Sequence, residues 1–137
     1  MYEFFVGIDI AKHAHQAAFI NAAGDKAAPD VSFDNTGEGF DLLTLALSGF
    51  DKEQTVIGLE ATGHYWLALY SFLTDNDWTV KVINPIQSDA FRNMYIRKTK
   101  TDRKDSFIIA EVLRFGRYTE TVLPEERLLQ LRELSRC

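Results

Sequence analysis

The chain has 137 residues, 46% hydrophobic and 26% charged, which is the composition of a globular domain and excludes a disordered or fibrous chain. No apolar run approaches the roughly 18 residues of a membrane span, and the one cysteine, Cys137, excludes an internal disulfide framework or a cysteine metal cage. The net charge of −5 conceals two unlike parts: residues 1–91 carry 4 Lys or Arg against 13 Asp or Glu, and residues 92–137 carry 11 against 7.

Glu3 to Ile10 reads as a strand, with Phe4, Val6, Ile8 and Ile10 on one face and Phe5, Gly7 and Asp9 on the other. Residues 11–14 turn, 15–21 return as a second strand, and Gly24-Asp25 signals a hairpin before a short third strand over Asp30–Asn35. Thr36 is placed to cap a helix that carries Phe40, Leu43, Leu45 and Leu47 and ends at Gly49. Gln54 to Glu60 is a β-rich run. Thr62 is placed to cap a helix bearing Tyr65, Trp66, Leu69, Tyr70 and Leu73, and Trp78 to Ile83 forms a fifth strand stopped by Asn84-Pro85. A helical pattern resumes from about Ile86 to Tyr95, a basic loop follows, and a further helix spans Asp102 to Phe115 before Gly116. Pro124 opens a last amphipathic helix with Leu128, Leu129, Leu131 and Leu134.

Strands joined by short turns pair antiparallel, and strands separated by helices pair parallel. The expectation is therefore an α/β fold, a mixed five-stranded sheet with helices on both faces. Residues 1–123 are read as one domain, and 124–137 as the start of a helical linker cut short, so that the chain is expected to be a fragment. The lack of a basic leader and of disulfides leads to the expectation of a reducing, cytoplasmic setting without a membrane.

Two strands end alike, Gly7-Ile8-Asp9 and Gly58-Leu59-Glu60. Period two puts each glycine and its acid on one face, so neighbouring strands would set two carboxylates side by side at the sheet's edge, with the glycines leaving room for a ligand. Asp102 and Asp105, three apart, share a helix face in its first turn, where the helix dipole favours negative charge. Four crowded carboxylates need a counter-charge. Oxygen-only donors suit Mg²⁺ or Mn²⁺ and not Zn²⁺, and such ions serve phosphodiester cleavage. The other reading of each residue stays open: Gly-x-Asp is common in strands, and Asp102 and Asp105 are also placed as a cap and a surface acid.

Six basic residues fall within residues 92–104: Arg92, Arg97, Lys98, Lys100, Arg103 and Lys104. Phosphate attraction acts over about a Debye length of ~8 Å, so this local stripe and not the net charge decides nucleic-acid binding. A solvated face is its other reading.

Gly7-Ile8-Asp9-Ile10-Ala11-Lys12, Glu60-Ala61-Thr62-Gly63-His64-Tyr65, Val82-Ile83-Asn84-Pro85 and Lys100-Thr101-Asp102-Arg103-Lys104-Asp105-Ser106 occur in that order. Together they resemble the N-terminal domain of the DEDD transposases, the insertion-sequence family IS-one-ten, which includes Piv-type DNA invertases and RNA-guided bridge recombinases. The resemblance runs from about Phe5 to Gly116. It implies a RuvC-like, ribonuclease-H-like fold, with Asp9, Glu60, Asp102 and Asp105 as catalytic metal ligands. It also implies Mg²⁺ (or Mn²⁺), DNA strand cleavage and exchange, and a structured guide RNA in the full-length protein. Arg97, Lys98, Lys100, Arg103 and Lys104 would then hold nucleic acid. Two departures stand out. Family members commonly carry Ala where this chain has Ser106, and full-length members continue into a helical region and a second domain with a catalytic serine.

Two other functions compete: a non-catalytic RNA and DNA platform, and a stand-alone RuvC-like nuclease. A sugar-kinase or actin-like ATPase also opens on Gly-Ile-Asp, but it needs two such domains and 137 residues are too few. His13 and His15 are spaced to chelate on a strand but straddle a turn, which favours ordinary surface histidines. His64 follows Glu60 by four residues and is placed either to reach substrate or simply to start a helix. Tyr65, Trp66 and Tyr70 are candidates for base stacking or for the core, with Trp66 assigned to the core. Cys137 has no local base to activate it. Leucines 128, 131 and 134 predict a homo-oligomer formed through the C-terminal helix, or a helix folded back on its own sheet.

Overall fold

A computed structural model describes residues 2–61, 63–84 and 105–116. Five strands form one mixed sheet: β1 (Phe4–Asp9), β2 (Ala14–Asn21), β3 (Lys26–Asp34), β4 (Thr55–Glu60) and β5 (Thr79–Ile83), in the spatial order β3-β2-β1-β4-β5. The first three strands meander antiparallel through short turns. β4 and β5 lie parallel to β1 because each is reached through a helix. Three helices are described: α1 (Gly37–Leu47), α2 (Leu67–Asp75) and α3 (Asp105–Phe115).

Alternation along the strands divides the core between two faces. Val6, Ile8, Phe19, Ile57 and Leu59 pack with Phe40, Leu43 and Leu47 of α1 and Leu69 and Leu73 of α2. Phe5, Ile20, Val56 and Ile83 point the other way, onto Ile109, Ala110, Val112 and Leu113 of α3. The expected sheet with helices on both faces is thus the observed one.

Thr36 caps α1 as its sequence position predicts: it is extended, and its Oγ1 accepts from the Gly39 N–H at 3.1 Å. Leu43 and Leu47 are buried under the sheet, whereas Leu45 turns to solvent.

Two starts, those of β3 and α2, differ from the sequence reading by four residues or more. β3 starts at Lys26, four residues before Asp30, because Asn21 Oδ1 accepts from Ala23 and Asp25 and closes a tight hairpin that lets pairing begin at once. Pro29 sits within it, tolerated because β3 is an edge strand. α2 starts at Leu67 and not beside Thr62, which lies outside the described residues. Gly63 at φ +60° is incompatible with a helix running through it, so Tyr65 and Trp66 belong to the connection before α2. The helix expected over 86–95, the basic stripe and the leucines beyond Pro124 also lie outside the described residues.

Candidate active site

β1 and β4 are hydrogen-bonded parallel neighbours in the register Gly7 with Gly58 and Ile8 with Leu59. The next position along each strand is Asp9 and Glu60, at the C-terminal edge of the sheet, where neighbouring strands are about 4.8 Å apart. Asp9 is half-buried, and Glu60 keeps only 7% of its surface exposed. The Gly-x-acid repeat therefore brings two carboxylate-bearing residues together, as the sequence reading expects.

The glycines have another role than the expected one. They do not leave room for a ligand; α3 fills that room. A Cβ on Gly7 would overlap the carbonyl oxygen of Ser106 and the backbone nitrogen of Ala110, and a Cβ on Gly58 would lie 2.7 Å from Leu113 Cδ1. The missing side chain of Gly7 lets α3 lie almost backbone to backbone on β1, and that of Gly58 makes room on β4 for Leu113. Sequence reasoning misses this because the helix is about a hundred residues from Gly7 in the chain.

That close approach also sets the first turn of α3. Ser106 stands over Gly7, two residues before Asp9, and Asp105 is the exposed first residue of the helix. Ser106 is buried, and among the described residues its hydroxyl has no hydrogen-bond partner. A small side chain fits at this point and its hydroxyl gains nothing from the packing. Asp102 lies outside the described residues. Among those that are described, no three Asp, Glu, His or Cys side chains form a group able to hold a metal ion. The basic candidates Arg97, Lys98, Lys100, Arg103 and Lys104 also lie outside them.

His13 and His15 do not form a pair. His13 is exposed in the turn, but His15 is no surface histidine: it is 1% exposed, with its ring edge-on to Phe33 at 5.4 Å. It alternates with Ala17 and Phe19 on the α1 and α2 side of the sheet, whereas Asp9 shares a face with Gly7 beneath α3. Its Nδ1 accepts from the Ala11 N–H at 3.2 Å, pinning the turn that follows Asp9. Burial lowers the His15 pKa from 6.5, and the Asn35 side chain opposes the shift. The alternation of His15 with Ala17 and Phe19 is the one local sign of this burial, and the pairing of His15 with Phe33 completes it.

The aromatic group after Glu60 splits in two. Trp66 is 4% exposed and meets Tyr70 edge-on at 5.8 Å, as a core residue should. Tyr65 is half-buried against the exposed His64, ring centroids 4.4 Å apart. A second constellation, absent from the sequence reading, lies at the far end of α3, where Arg114 donates two hydrogen bonds to the buried Glu111. Among the described residues, no helix is long and apolar enough to cross a membrane.

Some known proteins resemble this chain in sequence, and others in fold. The pilin gene-inverting protein of Moraxella lacunata is 31% identical over 112 residues, which are 80% of this chain and 34% of the relative. The pilin gene-inverting protein of Moraxella bovis matches to the same extent. The chain thus spans about a third of the length of these relatives. Among solved structures, T. thermophilus RuvC in complex with Holliday junction substrate superposes with a TM-score of 0.62 at 10% identity, covering 88% of this chain and 100% of that one. A second Thermus thermophilus RuvC structure gives 0.61 at 11% identity, over 86% of this chain and 99% of that one. At such identities the likeness is one of fold, and it makes the sheet RuvC-like and ribonuclease-H-like. The family profile described as Transposase, that of the IS-one-ten DEDD proteins, matches residues 6–137. A match that enters in the middle of β1 and runs to the last residue leaves only one assignment: the chain belongs to the DEDD transposase family.

Proposed function

We propose that this chain is the metal-dependent DNA-cleaving part of a transposase or site-specific recombinase. The observation that carries the proposal is the register of β1 on β4, which sets Asp9 beside Glu60 at one sheet edge. The first turn of α3, with Asp105, is held over Gly7 by backbone packing. Carboxylate oxygens without a cysteine or histidine among them are hard donors, and they fit Mg²⁺ or Mn²⁺. Asp9, Glu60, Asp102 and Asp105 would hold the ion, which supplies activation of the attacking oxygen and stabilisation of the leaving one. Asp9 and Glu60 form the fixed wall, because both belong to paired strands. Asp105, and Asp102 three residues before it in the sequence, would supply the remaining carboxylates. Arg97, Lys98, Lys100, Arg103 and Lys104 would bind nucleic acid through its phosphates.

The remaining expectations are proposals for the full-length protein. They are a domain over 1–123, a helical linker from 124 that pairs protomers, a serine-bearing domain beyond it, and selection of DNA by a structured guide RNA. A platform whose acids do no chemistry is the competing function, and the two are separable. Titration calorimetry with Mn²⁺ should show binding to the chain that is abolished in Asp9→Asn and Glu60→Gln. The same substitutions in the full-length protein should abolish strand exchange while leaving DNA affinity within a few-fold. Metal binding unchanged in both variants overturns the proposal; strand exchange unchanged favours the platform.

A further inference from the structure

We infer that His64 and Tyr65 form a stacking platform for an unpaired base of the DNA strand presented to the acidic site. The inference deepens the proposed DNA-cleaving function and rests on it for the identity of the substrate. Among the described residues, the connection from β4 to α2 is held by one hydrogen bond to β5 and two within itself. The Ala61 N–H donates to the Ile83 carbonyl at 3.1 Å, the Trp66 indole N–H to the Gly63 carbonyl at 3.1 Å, and the Leu67 N–H to the His64 carbonyl at 3.2 Å. Between these ties the chain sorts its rings. Trp66 turns inward to the core, while His64 remains exposed and Tyr65 half-exposed, their planes 35° apart and their centroids 4.4 Å.

Two rings packed together on a fixed backbone, one with an open face, are pre-organised for a third ring, because little side-chain freedom is left to lose on binding. The pair leaves the sheet at the same C-terminal edge as Asp9 and Glu60, four and five residues beyond Glu60. Such a surface suits a nucleobase: every base has a π-face, so stacking tolerates any sequence. It also complements phosphate binding, which positions a strand without engaging its bases. A base is accessible to such a platform only when it is out of the duplex, as at a strand being exchanged.

The test titrates the chain into a short single-stranded DNA carrying 2-aminopurine, whose fluorescence falls on stacking, in buffer without divalent metal. Binding should quench the reporter. His64→Ala should cost about tenfold in affinity and most of the quenching, whereas His64→Phe, which keeps a ring, should retain both. An abasic site in place of the reporter base should cost the intact chain the same factor and cost His64→Ala nothing further. Because Tyr65 is half-buried, Tyr65→Leu is compared with the ring-preserving Tyr65→Phe, with thermal midpoints recorded for both. Binding without quenching, equal affinity in His64→Ala, or no binding of this DNA overturns the platform. A failure of the acidic site reads out separately, as Mn²⁺ binding indifferent to Glu60→Gln, and leaves the quenching result standing.

Discussion

A single methyl group added at Gly7 would have to occupy space held by the backbone of α3. Backbone cannot rotate away as a side chain can, so Gly7→Ala should destabilise the fold by about 1–3 kcal/mol or more. At Gly58 the obstacle is the end of the Leu113 side chain, and Gly58→Ala should cost less. Thermal melting of the two variants checks the order, and a smaller loss at Gly7 would contradict the packing. His15 makes a second prediction. Its pKa in the folded chain lies below 6.5, so the unfolded chain binds more protons on acidification. Its contribution is therefore fully present above pH 6.5 and is lost as pH falls toward the folded value. Urea midpoints measured from about pH 8 down to 5 should fall with acidity, and His15→Leu should flatten part of that slope. The sequence shows His15 two residues from His13 and in alternation with Ala17 and Phe19. That alternation gives its face, but the cover over it comes from the pairing with Phe33, which no local pattern encodes.

Elements are legible in the sequence where a local rule suffices. The cap of α1 is one case: Thr36→Ala should cost about 1 kcal/mol, read as a shift in urea midpoint at unchanged slope. Alternation sorts the two faces of β1, and the repeated Gly-x-acid marks which residues of β1 and β4 meet. Legibility fails where geometry depends on a distant partner. The start of β3 is set by Asn21 across a hairpin, and the start of α2 by the left-handed Gly63. Gly7 and Gly58 stand out in the sequence, but their purpose does not, because the helix that needs their space follows β5.

At the scale of the whole molecule, the acidic part of the chain builds the sheet and the basic part supplies the proposed grip on DNA. Replacing Lys98, Lys100 and Lys104 together with alanine should weaken binding of unrelated DNA sequences alike. It should also lower the slope of log affinity against log salt by roughly 0.9 for each phosphate no longer neutralised. Filter binding across a salt series measures it, and an unchanged slope would leave the stripe as a solvated face. The charge asymmetry is visible in the sequence; its three-dimensional relation to Asp9 and Glu60 is not, since a run of like charges carries no packing pattern. The region matched to the pilin gene-inverting relatives is about a third of their length.

The position of β1 has a consequence for exchange of its amide hydrogens with solvent deuterium. It is bonded to β2 on one side and β4 on the other, and covered by α1 and α2 on one face and α3 on the other. Releasing its amides requires the sheet to part in the middle, so Val6, Gly7 and Ile8 should exchange only through global unfolding. The outer strand β3, carrying Pro29 and two irregular steps in its pairing, should open locally and exchange orders of magnitude sooner. Asp9, at the end of β1, is therefore mounted on the strand that should be the last of the described elements to open.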